Sequence, residues 1–170
     1  MNLRCDCHIH TLASGHAYST LQECAQSASD RGLELIAVTD HAPAMPGGPH
    51  AYHFHNLKIL PDRIAGVRVL KGVEVNLIDL EGNFDLGSAD LPHIQYAIAS
   101  MHEPLFPKAG RAENTRALIA AMANPWIKAI GHPDDNRFPL DFADLARAAA
   151  DTGTFLEVNN SSLRPTTFRQ

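Results

Sequence analysis

Cysteine is scarce and odd in number, three in 170 residues, which excludes a disulfide-stapled scaffold. No apolar run approaches the roughly 18 residues of a membrane-spanning helix. Positive charge is also in short supply. Fourteen Lys and Arg against nineteen Asp and Glu leave a net charge of −5, and the basic footprint of a nucleic-acid-binding protein is therefore not expected. Neither a Gly-rich phosphate loop nor a Gly-x-Ser-x-Gly elbow is present, which removes P-loop nucleotide chemistry and the serine-hydrolase mechanism. Met1 to Arg4 runs directly into the first motif, leaving no room for a cleavable leader. Unpaired thiols without a leader place the chain, by expectation, in the cytoplasm.

Histidine, by contrast, is plentiful: ten residues, and their placement carries the information. Asp6-Cys7-His8-Ile9-His10 closes the first apolar run. Asp40-His41 closes Leu35 to Thr39, and Glu74 follows Val67 to Val73. His102 follows Tyr96 to Met101, and His132 follows Ile127 to Gly131. Imidazoles and carboxylates thus recur where strand-like segments end.

Strand and helix signals alternate along the chain. Leu3 to Ile9 reads as a strand. Thr20-Leu21-Gln22-Glu23 is a capping box that opens a helix to about Arg31, stopped by Gly32. Leu35 to Thr39 is the next strand, and the Pro- and Gly-rich stretch Ala42 to Pro49 a loop. Val67 to Val75 is a strand, with Asn76 to Leu86 an inserted hairpin turning at Glu81-Gly82-Asn83. Another strand precedes His102. A helix over Glu113 to Ala123, a strand over Ile127 to Ile130, a helix opened by Asp141 and ended by Gly153, and a strand over Phe155 to Val158 complete the series. This rhythm predicts a single α/β domain over residues 1–170, with a mostly parallel sheet and helices outside it. Six strands close a barrel only awkwardly, so the expectation is a barrel lacking its last α/β segment. Open sheet edges of that kind favour association between copies of the chain.

In a parallel β/α barrel the strand C-termini meet on one face, where chemistry is built. Residues scattered along this sequence would converge there, as a multinuclear zinc or manganese site requires. Period-two alternation puts Asp6, His8 and His10 on one face and Cys5, Cys7 and Ile9 on the other. The cysteines are then packing residues against outer helices, like Cys24. Glu74 follows an apolar segment. Metal coordination would remove the cost of burying it, and its two oxygens suit a bridge between ions. His41 is the expected ligand of its pair, with Asp40 an acceptor behind an imidazole. His50, His53 and His55 read as solvated loop residues, and His93 lacks a strand-end position. Arg137 and Arg164 suit phosphate or carboxylate, and Asn159 and Asn160 offer hydrogen bonds past the last strand.

Taken together, these stretches resemble the PHP family, the polymerase-and-histidinol-phosphatase metal hydrolases. Ala13-Ser14-Gly15-His16, Gly131-His132-Pro133 and Glu157-Val158-Asn159-Asn160-Ser161-Ser162 extend the match over essentially the whole chain. The sequence is most similar to the small bacterial probable phosphatases of that family. The resemblance implies a distorted (β/α)7-type barrel, of which about six β/α units lie here, and zinc, about three ions per intact subunit. It implies His8 and His10 on a first ion, Glu74 bridging to a second, His102 and His132 completing the second, and His16 and His41 on a third. Glu74, His10 and Asp40 would serve catalysis. Asn160, Arg164 and Arg137 would meet a small phosphorylated substrate, hydrolysed by hydroxide generated on the metal. Mn2+ or Fe2+ suits the same donors. The family's last-strand Asp and His have no counterpart after Asn160, in keeping with the segment expected to be missing. Two other readings compete. One is an amidohydrolase-like metal hydrolase, and the other a metal-binding module without catalysis.

Overall fold

The computed structural model describes residues 3–87 and 89–159. Its strands are β1 (Cys5–Ile9), β2 (Leu35–Val38), β3 (Arg63–Ile64), β4 (Val67–Asn76), β5 (Tyr96–Ser100), β6 (Ile127–Ile130) and β7 (Phe155–Leu156). Its helices are α1 (Leu21–Asp30), α2 (Ala51–Asn56), α3 (Arg111–Met122) and α4 (Phe142–Thr152). Six strands run parallel in the order β1-β2-β4-β5-β6-β7, and β3 adds antiparallel to β4. The sheet curls into a half-barrel. Among the described residues, β1 and β7 each have one neighbour and form its edges. No helix among the described residues is long and apolar enough to cross a membrane.

Alternation along β4 organises the core. Val67, Val69, Val73 and Val75 are fully buried and turn toward the helices. Val67 and Val69 join Ile36 and Val38 of β2 against Ala25 and Ala28 of α1. Val73 and Val75 join Ala97, Ala99, Leu118, Ala121 and Leu145 in the larger cluster under α3 and α4. The intervening residues Gly72, Glu74 and Asn76 therefore face the concave side. Thr20 and Glu23 form the capping box of α1, and Asp141 caps α4 through the amides of Ala143 and Asp144.

Three sequence expectations need correction. Strict alternation along β1 fails at a bulge. Cys5 and Asp6 pair with Leu35 and Ile36, but Ile9 pairs with Val38, three steps against two. Asp6 therefore shares the helix side with Ile36, while His8 and His10 reach the concave side past the extra residue. Cys5 is exposed, not packed under a helix, and Cys7 is half-buried. Burial and the neighbouring Cys5 push the Cys7 thiol up to about 12. Second, the stretch after the Pro/Gly loop is helical. His50 Nδ1 accepts the Tyr52 amide to start α2, and buried Phe54 and Leu57 hold it down. Third, the inserted hairpin shrinks to a single bridge between Leu77 and Phe84. The Asp79 carboxylate accepts the amides of Glu81 and Asn83 and stabilises a turn in place of a ladder. The unforeseen β3 is only two residues long.

Candidate metal centre

Glu74 lies at the centre of the concave face, with no exposure to solvent. Its Oε2 lies 3.2 Å from His8 Nε2, 3.2 Å from His10 Nε2 and 2.9 Å from His41 Nδ1. Its Oε1 lies 3.3 Å from His102 Nε2 and 3.2 Å from His132 Nε2. One carboxylate thus serves two separate imidazole groups, one per oxygen. Three donor trios lie close enough to share an ion: His8, His10 and Glu74; His10, His16 and His41; and His41, Glu74 and His102. His132 Nε2 is 3.1 Å from His102 Nε2 and joins the Oε1 side. All seven residues read from the sequence as ligands are therefore brought together.

Hydrogen bonding fixes which ring nitrogens are bare. Ser14 gives its one hydroxyl proton to Asp40 Oδ1 at 2.7 Å. Its lone pairs are left to accept His10 Nδ1–H at 2.9 Å and the His41 amide at 3.1 Å. His8 Nδ1 faces Glu157 Oε1 at 2.9 Å, His102 Nδ1 faces Asn76 Oδ1 at 2.7 Å, and His16 Nδ1 faces the Ser14 carbonyl at 3.2 Å. Each Nδ1 is a donor, so Nε2 of each ring is the nitrogen turned to the centre, bare wherever the ring is neutral, as metal-ligating histidines are. The centre also contains polar atoms that no protein group satisfies. His41 Nδ1 and Glu74 Oε2 are buried without a hydrogen-bond partner although 2.9 Å apart. They aim at common space and not at each other. Tetrahedral Zn–N bonds of about 2.0–2.1 Å place donors about 3.4 Å apart, close to the spacings here. The residues fit a divalent cation.

The electrostatics agree. Burial alone would raise Glu74, yet His10, His102, His132 and His41 hold its carboxyl well below the usual range. Burial lowers His10 and His102, against the pull of Glu74, so both stay neutral. Burial opposes a proton on His8 as well, but Glu157 and Glu74 outweigh it and push the ring up to about 10. A cation must displace that proton.

Asp40 lies behind the centre. Its carboxylate accepts the Thr11 amide and hydroxyl at 2.7 and 2.8 Å as well as Ser14, so it reaches His10 only through Ser14. Burial pushes Asp40 up, but His53, Ser14 and Thr11 outweigh this and bring it to about 2. Replacing it with Asn turns an acceptor into a donor facing donors, and Asp40→Asn should cost about 1–3 kcal/mol. The carboxylate's contribution is fully present above its ordinary 3.8 and is lost as pH falls toward about 2. Denaturant midpoints should therefore show the gap between wild type and D40N narrowing as pH drops through that window.

Arg137 is already engaged. Its Nε and Nη2 donate to Asp135, and Nη1 lies 3.5 Å from Glu103. Asn160 and Arg164 lie outside the described residues. His55 and His93 stack edge to face at 4.4 Å, away from the centre. His53 is not a solvated loop residue, since its Nε2 is buried 3.7 Å from Asp40 Oδ2. A cavity of about 490 Å3 between α3 and α4, lined by Arg111, Arg116, Arg147 and their neighbours, contains none of the centre's residues.

Sequence reasoning missed Ser14 and Asn76, and it gave Glu157 no role. Glu157 follows β7 as Glu74 stands near the end of β4, a signal that was available. Its Oε2 accepts the amide of His132, whose φ of 27° is left-handed for a non-glycine residue. That contact and the ligand position hold a strained backbone in place.

The PHP domain profile matches residues 6–161. The chain belongs to the PHP domain family. Among curated relatives it is similar to a probable phosphatase of Caldanaerobacter subterraneus, 48% identical over 163 residues, covering 95% of this chain and 64% of that protein. A probable phosphatase of Acetivibrio thermocellus is 47% identical over 157 residues, 92% of this chain and 65% of its own length. One from Photobacterium profundum is 44% identical, with 96% and 66% covered. This PHP domain thus spans about two thirds of the length of these relatives. The half-barrel accords with that span.

Proposed function

We propose that this PHP domain hydrolyses phosphate monoesters at a cluster of divalent ions, zinc first among them and about three when complete. The observation that carries the reading is Glu74, fully buried, with each carboxylate oxygen turned to a different pair or trio of imidazoles. That is what bridging two cations demands. Bound ions would supply an acidified water as nucleophile and positive charge for the phosphoryl oxygens.

The chain's own residues prepare the site. Glu157, Ser14 and Asn76 hold Nδ1 of His8, His10 and His102, so that Nε2 of each ring is the atom turned to the centre. Asp40 anchors Ser14 and so acts at one remove. Arg137, held by Asp135 at the His132 loop, is a rim group for a small anionic substrate; Arg164 and Asn160 are substrate candidates on the sequence alone. The three cysteines are free, which suits a cytoplasmic setting. Neither nucleic acid nor membrane is an expected partner, and the edges β1 and β7 favour self-association.

The test is to load the metal-free chain with Zn2+, Mn2+ or Fe2+ and follow p-nitrophenyl phosphate beside a chromogenic amide. Metal-dependent release from the phosphate ester alone is expected. Amide turnover would support the amidohydrolase-like reading. A loaded but inert chain would support a non-catalytic metal-binding role.

A further inference from the structure

Asp85 lies outside the metal centre, on the short turn after β4, and the sequence marks it in no way. Its carboxylate nevertheless accepts three donors. Oδ1 takes the Asn76 amide at 2.8 Å, and Oδ2 takes Asn76 Nδ2 at 2.7 Å and the Ala44 amide at 2.8 Å. Asn76 is fully buried at the end of β4. Its Nδ2 also reaches the Ala42 carbonyl at 3.4 Å, and its Oδ1 meets His102 Nδ1 at 2.7 Å.

These contacts fix the orientation of the amide. Flipping it would set the side-chain oxygen against the Asp85 carboxylate and the Ala42 carbonyl, two acceptor-to-acceptor contacts in a buried site. Because the oxygen must face His102, Nδ1 of that ring must carry the proton. Nε2 is then bare and turned to Glu74 Oε1 and His132 Nε2. Without Asp85, only the longer contact to the Ala42 carbonyl at 3.4 Å still favours the oxygen toward the ring, and a flipped amide would offer a donor where a donor already stands.

We propose that Asp85 is a positioning residue, acting through Asn76 to lock His102 in the tautomer that binds the second ion. It also ties the Pro/Gly loop at Ala44 to that site, so loop and ligand are held by one carboxylate. This inference rests on the metal reading for its consequence, but the tautomer itself does not require metal.

Two-bond 15N–1H correlation spectra of the metal-free protein at neutral pH should show His102 as the Nδ1–H tautomer. In D85N, that preference should be lost while the His10 ring, fixed by Ser14, keeps its own. Zn2+ titration against a chelator should show one ion held about 10–100-fold more weakly in D85N, the others unchanged. An Nε2–H tautomer for His102 in the wild type would overturn the proposal, whether or not D85N folds. So would a D85N protein with unchanged Zn2+ affinities, or one weakened equally at every ion. A wild type that takes up no Zn2+ would sink the metal reading alone, since the tautomer would still decide the role of Asp85.

Discussion

Glu74→Gln is expected to strip the centre of tightly held metal while leaving the chain folded. The substitution preserves shape and volume in a fully buried position, so the valine faces of β4 that pack under the helices are untouched. What changes is charge and valence. A bridging carboxylate brings one negative charge and two acceptor oxygens, and both oxygens are addressed here by imidazole nitrogens within 3.3 Å. A glutamine brings one oxygen, no charge and an NH2 group that donates to the bare Nε2 lone pairs. It therefore satisfies the metal-free site while losing the bridge. Altering outer groups that merely orient ligands costs about 10–100-fold in affinity, and removing the bridge should exceed about 100-fold. Elemental analysis after exhaustive desalting, beside circular dichroism, checks both halves. A folded E74Q protein with the wild-type metal content would mean that the ions are held without Glu74, and the bridging assignment would be wrong.

Much of this arrangement was legible because strand ends are legible. Apolar runs such as Leu35 to Val38 and Ile127 to Ile130 leave no doubt about where a strand stops, and parallel topology brings those stops together. Among the described residues, six of the seven strands and three of the four helices follow from alternation, the Thr20 capping box and the Asp141 cap. What escaped depends on geometry that periodicity does not encode. The bulge in β1 reverses the faces of Asp6 and Cys5, and only the pairing register with β2 reveals it. The helix α2 forms in a stretch crowded with His and preceded by Pro, because Phe54 and Leu57 find buried positions that only the folded sheet provides. This is a tertiary effect that outweighs local propensity.

The groups behind the ligands were the least legible part of the centre. Ser14 and Asn76 are common residue types without a spacing signature, and their roles arise from partners 26 residues away in each case. Asp85 is further removed still, touching no ligand. Charge and hydrogen-bond accounting finds such residues once the fold is known, since a buried Nδ1–H needs an acceptor and that acceptor must be held. Read in that order, the histidines identify the chemistry, and the oxygens behind them show that the rings are already set for it.

Gly131→Ala should overpack the floor directly beneath the metal centre. Gly131 follows β6 directly and precedes His132, and its φ lies outside the left-handed region, so backbone freedom is not why glycine stands there. Space is the reason. A Cβ at this position would lie 2.2 Å from Ser100 Oγ and 2.9 Å from Ile98 Cγ2, with Glu74 Oε1 at 3.5 Å. The first two contacts are shorter than side chains tolerate, and both neighbours sit on the fully buried floor of the half-barrel. Overpacking of this kind costs about 1–3 kcal/mol or more, and relief by movement would push against Glu74 or displace the strained His132. Thermal or denaturant unfolding should show G131A destabilised by about 3 kcal/mol, with metal held more weakly in whatever folds. Ser100 supplies the control. Its Oγ is buried without a hydrogen-bond partner, so Ser100→Ala alone should cost little. Combined with G131A it removes the shortest contact, and the double variant should recover more stability than the sum of the single effects allows. The Ile98 contact should leave part of the loss in place. Strict additivity would instead mean that Ser100 and Gly131 do not meet, and that the floor beneath the metal centre is looser than the strand pairing of β4, β5 and β6 makes it.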